Sequence, residues 1–575
     1  MAAQSAEADR TGQDSAEGHR DRRPPLDAML TDAALGGGGP QWFPGAAGVK
    51  AAAKLGLRPQ RVARRAGLFG LELARIAAGR SGVAPAKGDR RFKDEAWEGN
   101  PAFKRLAQSY IATGKYVDGL MDDAQLDWAE ERRLRFVAEN LLDALAPSNF
   151  PVTNPAVLKA TIDSGGQNFI RGAGKFAQDM ARAPRVPSMV DTSTFEVGRD
   201  LAVTQGVVVL RTPVFELLQY APHTAKVREV PLLVVPPMIN KFYITDLAPG
   251  RSMIEHAVQA GQQVFTISWR NPGAEQADWT FDTYVTAVLE SLDAVEAITG
   301  CDRAHAIGLC AGGITLSCAV AHLAATGRQD RIAGVTLGVC VLDNERAGTM
   351  SSFADRRAAA LAIAESARKG YLSGRALAGV FAWLRPTDLI WNYWVNNYLL
   401  GKDPPAFDVL FWNADTTNMP AGLHRDFIEM SLENSLPRPG ALEVLGTPVD
   451  LGAIDVDSYV IAGSADHISP WQNCYRTTQL FAGSTRFVLS TNGHIAALVN
   501  PPGNEKSSFQ IADEHPSDPE EWLAAASQRR GSWWDDWSAW LGERSGEERK
   551  APAALGSKRH VPLQDAPGTY VFESV

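Results

Sequence analysis

The 575-residue chain is poor in cysteine: Cys301, Cys310, Cys318, Cys340 and Cys474 are the full set. An odd number without metal-ligand spacing speaks against a zinc ligand set and against a disulfide framework. Most such thiols are small buried hydrophobes, so a special one must be identified by its surroundings. The chain also lacks any apolar run close to the roughly 20 residues that span a bilayer. Its first residues, MAAQSAEADRTGQDSAEGHRDRR, have no apolar core of the secretory kind, which makes a cytoplasmic location the expectation. Excess basic charge is missing too. A net charge of −9 argues against a nucleic-acid binder overall. No internal repeat is present.

What is there falls into three textures. Residues 1–40 are polar and rich in Ala and Gly, ending in Gly36-Gly37-Gly38-Gly39-Pro40, and are expected to be a disordered tail. Residues 41–190 carry helical periodicity without a convincing alternating strand, which predicts a helical N-terminal domain. Its first helical stretch, KLGLRPQRVARRAGLFGLELARIAAG, is basic and amphipathic. Two readings stay open there: a helix lying on an apolar or anionic surface, or the solvated face of a packed helix.

Residues 191–575 alternate apolar, β-branched runs with helix-length segments: GVVVLR, PLLVVPP, QQVFTISW, RAHAIGL, AGVTLGVC, SYVIAG and TRFVLS. That rhythm predicts a largely parallel sheet covered on both faces, an α/β architecture. The rhythm stops after Leu342 and resumes near Val456. The insert 343–436, dense in aromatics, is too long for a loop and too apolar for disorder, and is expected to form a cap or lid.

One stretch carries chemistry. AHAIGLCAGG, residues 304–313, has the shape of the nucleophile elbow G-x-S-x-G with cysteine in the central place. Gly308 and Gly312 meet the steric need of a tight strand-to-helix turn. Cys310 then stands at a helix N-terminus, where the dipole favours a thiolate, and the N–H of Ala311 falls where an oxyanion would form. Fold partners follow in order, each just after a strand. Asp466 comes after SYVIAG as the acid, and His494 after TRFVLS as the base. His467, beside Asp466, is expected to line the mouth or join an ion pair. His305 and Cys318 are expected to be packed, and Asp455 and Asp457 sit at the wrong end of their strand.

The cysteine changes the reaction. Its attack on a thioester exchanges one thiol for another at little energetic cost, whereas a serine would form a more stable oxoester and a poorer donor. Acyl transfer from a thioester to an alcohol is the expected chemistry, with water kept away from the acyl-enzyme.

These residues resemble the polyhydroxyalkanoate synthases, which polymerise (R)-3-hydroxyacyl-CoA. The lipase-like box G-x-C-x-G-G is met by Gly308, Cys310, Gly312 and Gly313; ADHISPW carries the acid and GHIAALVNPPGN the histidine. Further matches are FEVGRDLAVTQG, VVPPMINKFYITDL, ISWRNP, LRPTDLIWNYWVNNYL, DVLFWNADTTNMP, GSWWDDWSAWL and KAPAALGSK…APGTYV, covering the chain from about Asp89 onward. NYWVNNYLLG, VNPPGNEKS and the KAPAALGSK tail look closer to the medium-chain-length class. The resemblance implies an α/β-hydrolase catalytic domain behind a helical domain, homodimerisation, and location on polymer granules with granule-associated proteins as partners. It also implies that Cys310 holds the growing chain, that His494 activates it and that Asp466 assists. The N–H of Ile239, in the VVPPMIN segment, is the candidate second oxyanion donor. Asp466 has two open roles: orienting His494, or also helping to deprotonate the incoming 3-hydroxyl. No organic cofactor or metal is implied, CoA being a product. Two rival readings are a cysteine-dependent acyl-CoA thioesterase or lipase-like hydrolase, and a non-catalytic granule-surface protein.

Overall fold

The computed structural model describes residues 26–35, 45–182, 184–344, 356–466 and 468–574. They divide into two units. One holds Gly36–Asp191 together with Ala376–Pro405; the other holds Pro25–Leu35, Thr192–Arg375 and Ala406–Val575.

The larger unit is built on an eleven-stranded sheet. Its centre is six parallel strands in the spatial order Val264–Trp269, Leu232–Val235, Ala304–Leu309, Ile332–Gly338, Ser458–Gly463 and Thr485–Ser490. Antiparallel strands extend both edges, Phe215–Tyr220, Gly206–Arg211 and Gln564–Asp565 on one side and Ser508–Ile511 and Ser527–Arg530 on the other. Every residue of VFTISW, AHAIGL and SYVIAG is buried, as strands covered on both faces require. This is the α/β-hydrolase order, and it brings the carboxyl ends of the elbow, acid and histidine strands to one edge of the sheet.

The tail expected at 1–40 is only partly described, and there the structure differs from that expectation. Leu26–Ala34 is an α-helix with Met29, Leu30, Ala33 and Ala34 buried. That i, i+1, i+4, i+5 pattern is an apolar stripe. The stripe packs on the helices Arg356–Lys369 and Ala421–Glu433, and buried His424 joins the three. Its Nε2 lies 3.2 Å from the Leu30 carbonyl oxygen and its Nδ1 2.7 Å from Ser366 Oγ.

The insert 343–436 is divided between the units: Ala376–Pro405 goes with the helical one, while the segments on either side stay with the sheet. The reason lies in the aromatic stretch LIWNYWVNNYLL. Phe176, on the helix Gln167–Met180, meets Trp394 and Tyr398 edge to face. Tyr398 Oη donates to Asp179 at 2.7 Å, Asn168 Nδ2 to the Leu399 carbonyl at 2.8 Å, and Trp394 Nε1 to the Asn149 carbonyl at 3.1 Å. A side chain at Gly172 would come within 1.8 Å of the Tyr398 carbonyl oxygen, so that close approach requires glycine.

In the helical unit, Pro59–Ala77 is the basic amphipathic helix. Arg65 pairs with Asp123 at 2.5 Å, and Arg58 and Lys54 donate to the carbonyls of Asp123 and Gln125. Leu68 and Leu71 stay exposed on it. No helix of the described residues is long and apolar enough to cross a membrane.

Candidate active site

The elbow is strained as its motif demands. Cys310 has φ 49° and ψ −121°, a conformation costing on the order of 1–3 kcal/mol for a side-chain-bearing residue. The surrounding turn holds it there: Cys310 N donates to the Gly338 carbonyl at 2.8 Å, and Gly313 N to the Cys310 carbonyl at 2.9 Å. Side chains on the flanking glycines would collide with backbone. A Cβ at Gly308 would lie 2.6 Å from Gly313 Cα, and one at Gly312 would lie 2.4 Å from the Val235 carbonyl oxygen. The helix Ala311–Ala325 starts directly behind the sulfur, so its dipole favours an anion at that point.

Of the five cysteines, Cys310 is the one not fully buried. Burial pushes the thiols of Cys318, Cys340 and Cys474 well above the usual range. They are core residues, although Cys340 and Cys474 both lie close enough to feel charge on Cys310.

The structure brings Cys310, Asp466 and His494 together. Asp466 follows the strand Ser458–Gly463, and His494 opens the short helix His494–Leu498 behind the strand Thr485–Ser490. His494 Nδ1 lies 2.7 Å from Asp466 Oδ2. The other carboxylate oxygen of Asp466 accepts the backbone N–H groups of Ile468 at 2.8 Å and Ser469 at 3.0 Å. The Asp466 side chain has no exposed surface, so its lone pairs are committed to this local set. With Nδ1 on the carboxylate, Nε2 of His494 is left for Cys310, with which the ring also interacts. Burial is the largest influence on the ring and disfavours its charge. The charge and hydrogen bond of Asp466, with Cys310 adding to them, outweigh it and push the pKa up to about 10. A cationic imidazole beside a sulfur nucleophile is the arrangement that activates it.

The oxyanion candidates are the N–H groups of Ala311, first residue of the elbow helix, and Ile239, in the turn after the strand Leu232–Val235. Neither donates a hydrogen bond to another described residue. The contact of Gly312 with the Val235 and Pro236 carbonyls sets the Ile239 turn against the elbow.

The decoys separate cleanly. His305 is buried, with Nε2 3.1 Å from the Arg544 carbonyl oxygen, and burial lowers its pKa to about 4. Asp457 pairs with Arg544 at 2.8 Å, at the amino end of its strand. His467 lies outside the described residues.

Sequence reasoning missed the tryptophans that brace the histidine. On the helix Trp533–Arg544, Trp533 Nε1 donates to the Ala497 carbonyl at 2.6 Å and Trp534 Nε1 to that of Leu498 at 3.0 Å. Those carbonyls end the five-residue helix that carries His494 and need donors. The signal was present in GSWWDDWSAWL, but nothing in the stretch names its acceptors.

The chain's similarity to known proteins decides its family. Residues 88–257 match the model of the poly-beta-hydroxybutyrate polymerase (PhaC) N-terminus, and residues 240–501 match the alpha/beta hydrolase fold. The chain is 45% identical over 516 residues to poly(3-hydroxyalkanoate) polymerase 1 of Ectopseudomonas oleovorans, covering 90% of this chain and 92% of that one. The chain belongs to the poly(3-hydroxyalkanoate) polymerase family. Polymerase 2 of the same organism is 43% identical, with 88% of this chain and 90% of the other covered. The polymerase subunit PhaC of Cupriavidus necator is 41% identical over 91% of this chain and 90% of its own. Both the resemblance read from the motifs and the α/β-hydrolase fold class stand.

Proposed function

We propose that the chain polymerises (R)-3-hydroxyacyl-CoA into polyhydroxyalkanoate, releasing CoA, through a covalent thioester on Cys310. One observation carries the reading: in a member of this polymerase family, the strained elbow presents a reachable cysteine to a histidine held by a buried carboxylate.

Cys310 Sγ attacks the thioester carbonyl. The oxyanion forms against the N–H groups of Ala311 and Ile239. As the carbon–sulfur bond to CoA breaks, the His494 cation gives its proton to the departing thiolate. The enzyme thioester is then attacked by the 3-hydroxyl of another unit, whose proton passes to His494. An ester bond forms, the bond to Cys310 breaks, and the sulfur is returned as an anion beside the re-protonated ring. Thioester becomes oxoester, so elongation runs downhill.

Asp466 serves this cycle through His494. Its two oxygens are engaged by the ring and by two backbone N–H groups, which supports the orienting role over direct contact with the 3-hydroxyl. The reaction draws on these side chains alone and calls for no added cofactor or metal. Homodimerisation and attachment to the polymer granule belong to the same proposal.

The test is to supply (R)-3-hydroxyacyl-CoA and follow free CoA alongside turbidity. CoA release with insoluble polyester is the expected result. Release with only free hydroxy acid would make the chain a hydrolase, and no release would leave it without this activity.

A further inference from the structure

The turn bearing Ile239 is held by residues far away in sequence. Trp269 Nε1 donates to the Pro236 carbonyl at 2.8 Å, and Trp412 Nε1 to the Lys241 carbonyl at 2.7 Å. Asn240 forms an antiparallel bridge with Thr416, and Tyr243 Oη donates to Asp415 at 2.9 Å. Lys241 itself is buried, only 3% exposed, although it stands two residues from the candidate oxyanion donor. Its ammonium donates to the main-chain carbonyls of Tyr570 and Glu573. A buried ammonium is costly unless hydrogen-bonded and paired, so this contact has to be made firmly.

The segment that receives it is itself strapped down. Buried Glu216 accepts the N–H groups of Thr569 at 2.9 Å and Tyr570 at 3.0 Å, and the Thr569 hydroxyl at 2.7 Å. Tyr570 Oη donates to the Thr212 carbonyl at 2.7 Å. Glu573 accepts the Asn271 N–H at 2.9 Å and pairs with Arg270 at 3.3 Å. Four residues, Glu216, Thr212, Asn271 and Arg270, thus anchor a five-residue segment. Burial pulls the Lys241 ammonium below its usual range, with Asp415 and Glu573 opposing that shift.

We infer that Lys241 is a positioning residue, and that the strap Thr569–Glu573 grips its ammonium to fix the Ile239 turn against the elbow as half of an oxyanion hole. This rests on the catalytic reading above. The geometry of such a donor matters more for charge development than for substrate binding, because the N–H must aim at the oxyanion.

The discriminating measurement uses two reactions of Cys310 in the full-length protein. Acylation by a 3-hydroxyacyl-CoA in a single turnover needs the oxyanion hole; alkylation by iodoacetamide needs the activated sulfur and no oxyanion donor. Lys241→Met is expected to slow acylation about a hundredfold, with KM little changed and alkylation within about twofold of the parent. Glu573→Gln, which weakens the grip of Arg270 while leaving the carbonyl, is expected to act in the same direction with a smaller loss. It also serves if Lys241→Met does not fold. Unchanged acylation in both point variants overturns the inference, as does an equal fall in acylation and alkylation, which would mean general disorder of the site. Failure of the parent protein to acylate or alkylate at Cys310 would instead overturn the catalytic reading.

Discussion

Asp466 and His494 meet at 2.7 Å, carboxylate to Nδ1, with no exposed surface on the aspartate side chain. That contact makes the histidine a cation through the neutral range, and two consequences can be measured. The ring's pKa near 10 lies above its unfolded value of about 6.5. A raised value means the folded state binds the proton more tightly. The stability it contributes is fully present below about pH 6.5 and is lost as pH rises through about 10. In Asp466→Asn the largest influence opposing burial is gone and only that of Cys310 is left, so this contribution shrinks. The parent's unfolding midpoint is therefore expected to fall more between pH 8 and 10.5 than the variant's. Parallel curves would contradict the cationic ring.

The same variant bears on mechanism. If Asp466 works only by orienting His494, acylation and elongation fall together in Asp466→Asn, each by on the order of a hundredfold or more. Single-turnover acylation set against multiple-turnover polymer growth separates the steps. A variant that acylates normally and fails only in elongation would move Asp466 to the incoming 3-hydroxyl.

Cys310→Ala is expected to abolish CoA release while keeping the parent's circular dichroism, because a smaller side chain fits the elbow. Cys310→Ser is expected to be nearly as inactive, since a hydroxyl asks more of the base than a thiol does. Appreciable polymer from Cys310→Ala would remove the covalent route.

The glycines behind Cys310 are not equivalent. A Cβ at Gly312 meets the carbonyl oxygens of Val235 and Pro236 at 2.4 and 2.6 Å, rigid backbone on both counts. One at Gly313 meets Cys340 Sγ at 2.7 Å and Cβ at 2.9 Å, with the nearest backbone, the Gly308 carbonyl oxygen, farther off at 3.1 Å. Gly312→Ala is expected to cost more than Gly313→Ala, roughly at or beyond the upper end of the 1–3 kcal/mol of overpacking. It also displaces the Ile239 turn and so reduces acylation. Thermal melting and acylation rates of the two variants check the order; equal loss would place the clash elsewhere.

The elbow, the acid and the histidine were legible because each is a local pattern: glycines two residues from the nucleophile, or a residue just past an apolar β-branched run. Their assembly then follows from parallel strands ending at one edge of a sheet. What could not be read depends on partners. LIWNYWVNNYLL announces burial without saying against what, and it is the helix Gln167–Met180, through Gly172 and Phe176, that claims it. The short stripe of Met29, Leu30, Ala33 and Ala34 was hidden in a polar, glycine-rich surrounding. Lys241 reads as an ordinary surface lysine until the strap 300 and more residues later closes on it.

Trp534 tests how firmly His494 is mounted. The helix His494–Leu498 has only five residues, too few to be stable alone. Its last carbonyls are met by indole N–H groups from Trp533 and Trp534, while the Ser532 hydroxyl donates to the Asn500 carbonyl just beyond. Trp534 is 1% exposed and its ring also lies 5.5 Å from that of His256. Trp534→Phe keeps most of the apolar contact but leaves the Leu498 carbonyl with only the Asn500 N–H at 3.1 Å, at a cost of about 0.5–1.5 kcal/mol. The loosened helix lets His494 swing on its Asp466 hinge, so acylation is expected to slow several-fold while KM stays put. Urea unfolding together with single-turnover kinetics reads both effects. If stability falls by the expected amount with acylation untouched, the short helix holds its histidine without help, and the indole serves only the core.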